Sequence, residues 1–153
     1  MAHLKKTTAV LGIIVAAALI AAPGHGQKEG AQSWSFTRPL QVGDTTFSVA
    51  VAASAEERKR GLSGVRAMGP NQGLYFVFPR AYLLSFWMKD MRFAIDIVWI
   101  DSAHRVIHMI ENVTPETFPM VFTVQQPAQY ALEIKAGRAR AAGIKIGDTV
   151  SLH

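Results

Sequence analysis

The chain has no cysteine among its 153 residues. That excludes disulfides, thiolate metal sites and a lipid-modified N-terminal cysteine, so the domain must hold together by packing alone. Charge of one sign never accumulates into a block, and the densest cluster, Arg58, Lys59 and Arg60, follows directly on Glu56 and Glu57. Such a mixture reads as the solvated face of a short helix, so no nucleic-acid partner is expected. A glycine-rich phosphate loop and a G-x-S-x-G elbow are also missing, which removes the sequence signals for phosphate cradling and for a serine nucleophile on a strained turn. His104 and His108 have Asp101 and Glu111 near them but no third imidazole, so neither a metal nor another cofactor is expected. Met88, Met91 and Met109 lack the clustering of a copper site and read as core filler.

Long apolar runs are confined to the N-terminus. Lys5 and Lys6 precede an apolar stretch from Thr7 to Ala22, and small residues follow up to Gly26. This is the layout of a secretory signal peptide spanning residues 1–26. The run is short and alanine-rich beside the roughly 20 strongly apolar residues that a membrane span requires. The expectation is therefore a cleaved leader and an exported protein, periplasmic or extracellular, with no stable membrane insertion after cleavage. Cleavage would remove two of the 16 basic residues and none of the 11 acids, lowering the net charge from +5 to +3.

The remainder is 50% apolar and 18% charged by whole-chain composition, as expected of one globular domain with a real core. Residues 27–46 read as a mobile leader and the approach to a first strand, and residues 47–153 as a single β-rich domain. "FSVAVA" alternates with the two-residue period of a half-buried strand. Ser54 with Glu57 three positions later forms a capping box, which predicts a helix from Ala55 to Gly61 or Gly64. "GLYFVF" is an apolar run of strand length before Pro79 and reads as a central strand. "YLLSFWMK", "AIDIVWI" and "RVIHMIENV" follow as strands, with Asp101 bonding its own backbone in the turn before the last of them. "VFTV" and "QYALEIK" flank Pro127, "AGRARAAG" is a short helix ended by Gly143, and "IKIGDTVSL" turns into a final strand. The expected fold is mostly β: a small antiparallel barrel or rolled sheet of about seven or eight strands with two short helices.

Polar residues among these strands define the candidate ligand site. Along Leu83 to Lys89, Leu84, Phe86 and Met88 share a core face, while Ser85, Trp87 and Lys89 share the other. An aromatic plate with a cation roughly 7 Å along the strand is the composition of a binding groove, or of a sheet rim where lysine extends past a half-buried tryptophan. If Asp101 to His104 form a four-residue hairpin loop, Ile100 faces Arg105, and Asp96 and Glu111 become diagonal neighbours at roughly 7 to 8 Å. Two such carboxylates near Lys89 could divide acid and base roles. A simpler alternative makes Lys89 and Asp96 an ion pair closing a tight connection. Glu133 groups by period with Ala131 and Lys135, away from the core side of Tyr130, Leu132 and Ile134.

The order "EERKRGLSG", "GLYFVF-P", "SFWMKDM", "IDIVWID", "ENV-P" and "QYALEIKAGRARAAGIKIGDTV" resembles the family called domain of unknown function 192, over roughly residues 47–152. The resemblance implies a compact β-rich fold, frequently behind an export signal in bacteria, with no established activity. Its motif positions are Arg60, Gly61, Leu62, Phe86, Trp87, Met88, Lys89, Asp96, Glu133 and Gly137. The chain departs from the pattern at Ser63 and in the loop "VRAMGPNQG". The leading functional expectation is an envelope-associated module that binds a small polar ligand or envelope component, a saccharide for example, through Trp87, Lys89, Asp96 and Glu133, with Glu111 and Arg60 as further candidates. The alternatives are a hydrolase- or lyase-type enzyme using Asp96 or Glu111 with Lys89, and a structural protein-interaction domain.

Overall fold

The computed structural model describes residues 33–153. The signal-peptide expectation falls on residues 1–26, outside the described residues. Among the described residues nine strands form, in the order β1 (Arg38–Val42), β2 (Thr45–Ala52), β3 (Gln72–Tyr82), β4 (Ser85–Trp87), β5 (Ile95–Ile100), β6 (Val106–Val113), β7 (Val121–Thr123), β8 (Ala128–Lys135) and β9 (Val150–Leu152). The helices are α1 (Ala55–Arg60) and α2 (Arg138–Ala141).

Seven strands make one sheet in the order β6-β5-β8-β3-β2-β1-β9, and β4 pairs with β7 in a separate ribbon. All pairings are antiparallel except β2 with β3, which run parallel. A parallel neighbour cannot be reached by a hairpin, so the chain crosses over between them, and that crossover carries α1 onto one face of the sheet. The local sequence fixes where α1 begins and ends. The Ser54 hydroxyl accepts the Glu57 N–H at 3.2 Å and the Glu57 carboxylate accepts the Ser54 N–H at 2.9 Å, the expected capping box. Gly61 ends the helix at φ +53°, a conformation that costs a side chain but not glycine.

The sheet curls into a half-barrel, which bears out the expected mostly-β rolled sheet with two short helices and corrects the barrel alternative. Its two outer strands meet at one end, through a bridge between Arg105 and Thr149 and the hydrogen bonds from Val106 N–H to Asp148 O, from Gly147 N–H to Val106 O and from Val150 N–H to His104 O. No ladder joins β6 to β9, so the rim stays open. The signal peptide and the periplasmic or secreted address receive no support from the fold either.

Both faces of the sheet are covered. On one, Leu40, Phe47, Val49, Tyr75, Val98 and Leu132 pack with Ala139 and Ile144 from α2 and the segment after it. On the other, Leu74, Phe76, Ile97 and Trp99 pack beneath Leu62, Leu84, Phe86 and Met88, contributed by the crossover and the β4 segment. Double coverage explains why every residue of β5 is buried. A sheet packed on both sides needs continuous apolar strands rather than alternating ones.

Candidate functional site

A cleft of about 280 Å³ opens between the end of α1, β3, β4 and β8. Leu62, Phe76, Phe86 and Met91 make its apolar wall, Arg58, Lys59 and Arg60 one rim, and Ser85 and Trp87 the other. Glu133 forms part of the lining. Its place follows from register, since Glu133 lies opposite Leu74 on β3 and Ile97 on β5, both members of the core on that face. The expectation that Glu133 points away from the core is therefore corrected. Alternation along β8 assigns two faces properly, but here both faces are covered.

Glu133 is 5% exposed, and its Oε2 atom is buried without a hydrogen-bond partner. Transfer of a carboxylate into such surroundings penalises the charged form, and burial pushes the Glu133 carboxyl up to about 8. At neutral pH it is a neutral acid that can donate a hydrogen bond into the cleft.

Trp87 is half exposed at 51%, as the alternation of the β4 segment predicts, with Leu84, Phe86 and Met88 buried on the opposite side. Its ring meets that of Phe118 edge-on at 5.7 Å, and the Lys89 ammonium lies 5.7 Å from its centroid. Both contacts hold the indole plane at the cleft mouth. On the other rim the Arg60 guanidinium stacks 4.5 Å over Trp34, whose indole N–H donates to Gly61 O at 2.9 Å. Arg58 donates to Val77 O at 3.0 Å and to Ala53 O, and lies over Phe78. The ends of these side chains are thus positioned by the cleft walls. The basic cluster read from sequence as a solvated helix face lines the cleft, as do Ser85, expected on the groove face with Trp87, and Met91, read from sequence as core filler. The useful signal was proximity: the cluster directly precedes the "GLSG" turn.

Asp96 is placed elsewhere. It is fully buried and opposite Ile134, on the face that carries α2. Its Oδ1 accepts the N–H groups of Asn112 at 2.9 Å and Gly137 at 3.0 Å, and its Oδ2 accepts that of Ala139 at 2.8 Å. Gly137 has no side chain with which to cap α2, so Asp96 performs that task from a neighbouring strand. These three bonds engage both carboxylate oxygens, and Asp96 is corrected from ligand anchor to structural acceptor. The proposed Lys89–Asp96 ion pair does not form, because Lys89 sits against Trp87 instead.

Glu111 pairs with Arg140 at 3.0 Å on the surface. The expected hairpin register also fails: Ile100 lies opposite Val106 and Trp99 opposite His108, with irregularities beside Ile100 and between Ile95 and Ile97. The acid–base division between Asp96 and Glu111 finds both acids already engaged, Asp96 by three backbone N–H groups and Glu111 by Arg140. Asp101 does close its turn, accepting the N–H groups of Ala103 and Arg105 at 2.9 Å each. Of the six candidates, the fold brings Arg60, Trp87 and Glu133 together, places Lys89 beside Trp87, and leaves Asp96 and Glu111 outside the cleft. Among the described residues, no group of three potential metal-binding side chains occurs and no helix is long and apolar enough to cross a membrane.

A family model described as "Uncharacterized ACR", domain of unknown function 192, matches residues 38–152. A solved protein from Sinorhizobium meliloti, provisionally named a transcription regulator, superposes with a TM-score of 0.74 at 24% identity, covering 80% of this chain and 98% of its own. At that identity the likeness speaks for the fold alone. A second, a protein of unknown function from Novosphingobium aromaticivorans, gives a TM-score of 0.70 at 27% identity, covering 74% of this chain and 83% of its own. No curated protein matches.

Proposed function

The chain belongs to the domain of unknown function 192 family, and for this member we propose a small-ligand-binding module whose site is the cleft between α1, β4 and β8. The observation that carries the reading is Glu133, a carboxyl with a buried, unpartnered oxygen in the wall of an open cleft. Buried polar groups are almost always satisfied within the protein, and one left over beside a cavity is available to a ligand. Trp87 supplies a flat apolar surface at the mouth, while Ser85 supplies a hydroxyl and Glu133 a hydrogen-bond donor. An apolar plate with a few polar groups suits a ring that is greasy on one face and hydroxylated at its edge, which favours a saccharide. The volume sits at the lower end of small-molecule sites, about 300 Å³, and suits a single ring better than a chain.

A thermal-shift screen against monosaccharides and their common derivatives tests the reading. A stabilising ligand is expected, with the shift lost in Trp87→Ala while the far-UV spectrum stays unchanged. A screen in which no sugar stabilises the protein, or in which Trp87→Ala keeps the full shift, would sink the proposal.

A further inference from the structure

Resting on that small-ligand reading, we infer that the ligand is an acidic sugar, its ring against Trp87, its anionic group facing the α1 cations and an acceptor oxygen meeting the Glu133 carboxylic acid. The argument begins with the sign of charge around the cleft. Arg58, Lys59 and Arg60 are consecutive and line the same cavity. Consecutive residues on an α-helix diverge by about 100° each, so a cavity touching all three wraps the end of the helix. The helix dipole favours basic residues in a last turn. It does not require that turn to overlook a buried carboxyl. Across the mouth, Lys89 adds a fourth cation through its contact with Trp87.

The acidic side of the balance is nearly empty. Among the described residues Glu133 is the one acid in the lining, and Glu57, on α1 with the three cations, has its carboxylate occupied by the N–H groups of Ala53 and Ser54 at 3.1 and 2.9 Å. The residues flanking Glu133 across the sheet, Leu74 on β3 and Ile97 on β5, carry no charge, and β4 presents Ser85, Phe86 and Trp87. A cationic ligand would therefore meet four positive groups and a neutral acid. An anionic ligand meets the reverse, with long-range attraction at the rim and a donor in the wall.

Recognition by a neutral acid makes binding depend on its proton. Below the Glu133 pKa the acid donates a hydrogen bond. Above it the site loses the donor and gains a negative charge facing an anion. The other charged groups in the lining are Arg58, Lys59 and Arg60.

Titration calorimetry on the intact protein at low ionic strength, with glucuronate, glucose phosphate and glucose as probes, separates the outcomes. The expected result is that one or both acidic sugars bind at least about tenfold more tightly than glucose, a gap of about 1.4 kcal/mol. Preference for glucuronate would assign a carboxylate as the anionic group, and preference for glucose phosphate a phosphoryl group. Affinity for the acidic probe should fall as pH rises above about 8. Glu133→Gln keeps a donor that does not titrate, so it should bind with that pH dependence removed, and Lys59→Glu should weaken the acidic probes more than it weakens glucose. Glucose binding as tightly as the acidic sugars overturns the inference and leaves the small-ligand reading standing. Silence from all three probes overturns both, and an unchanged pH profile in a folded Glu133→Gln protein overturns the role given to Glu133.

Discussion

Asp96 and Glu133 are the two buried charged-type residues among those described, and they lie on adjacent strands facing opposite sides of one sheet. Asp96 is surrounded by donors: a bulge in β6 turns the Asn112 N–H toward it, and the start of α2 supplies two more. Glu133 is surrounded by leucine, isoleucine and phenylalanine, with a cleft in front of it. One carboxylate is saturated by the backbone and holds three segments together. The other has unused hydrogen-bonding capacity, retained at a cost to stability. Burial by itself therefore does not separate a structural acid from a site acid, whereas the count of its hydrogen-bond donors does.

The largest expected effect tests the Glu133 half of that contrast. Its folded-state pKa of about 8 lies above its ordinary value of 4.5. Between those values the folded chain holds a proton that the unfolded chain has released, so stability falls as pH rises through the window. The full gap corresponds to roughly 5 kcal/mol. Urea unfolding of wild type and Glu133→Gln from pH 4.5 to about 8 should show wild type losing several kcal/mol relative to the variant. Parallel stability curves would mean that Glu133 is ionised and partnered in solution.

Next in size is the removal of Asp96. Asp96→Ala leaves three backbone N–H groups without their acceptor, and unsatisfied buried donors cost about 1–3 kcal/mol each before relaxation. A loss of about 4 kcal/mol is expected, with α2 and the Asn112 bulge losing amide-exchange protection before the rest of the sheet. Asp96→Asn should lose about 2 kcal/mol, because its amide nitrogen cannot accept a hydrogen bond. If Asp96→Asn folds with wild-type stability, the assignment of Asp96 as the α2 cap is wrong.

Much of this architecture is legible in the sequence, and the illegible parts share a cause. The Ser54–Glu57 capping box, the Asp101 turn and the alternation from Leu83 to Lys89 are local, each written within a few residues. The hairpin register was misread because bulges insert a residue without disturbing apolar composition. Asp96 was misread because its donors lie 16, 41 and 43 positions away. Glu133 could be named as a site candidate, but not its burial, since a period of two assigns faces without saying what covers them. Barrel and rolled sheet stay undivided at the level of sequence because curvature and rim closure depend on how far the outer strands travel, which strand count does not specify.

The interior of the sheet makes an intermediate test. A Cβ at Gly73 would lie 2.9 Å from both Ile134 Cγ2 and Leu132 Cδ1 and 3.0 Å from the Glu133 carbonyl. Gly73→Ala must push β3 and β8 apart at the residue beside Glu133, at about 1–3 kcal/mol. The clash lies on the α2 face, but it displaces the β8 backbone that carries Glu133, so the variant should lose ligand affinity as well as stability. Loss of stability without loss of affinity would show that the Glu133 wall tolerates movement.

The smallest effect on stability is expected at the rim. Lys89 is exposed and holds its ammonium over Trp87 rather than in a buried ion pair. Exposed cation–π and surface charge contacts contribute about 1 kcal/mol or less, so Lys89→Met should unfold within about 1 kcal/mol of wild type. Its methylenes can still cover the indole, which keeps Trp87 in place. Ligand affinity should nevertheless fall severalfold and lose part of its salt dependence, because one cation has left the mouth. A loss of about 3 kcal/mol would return Lys89 to the role of a buried pairing partner and move it from the rim to the structural side of the contrast. Unchanged stability with unchanged affinity would remove Lys89 from the site and leave the recognition of charge to α1.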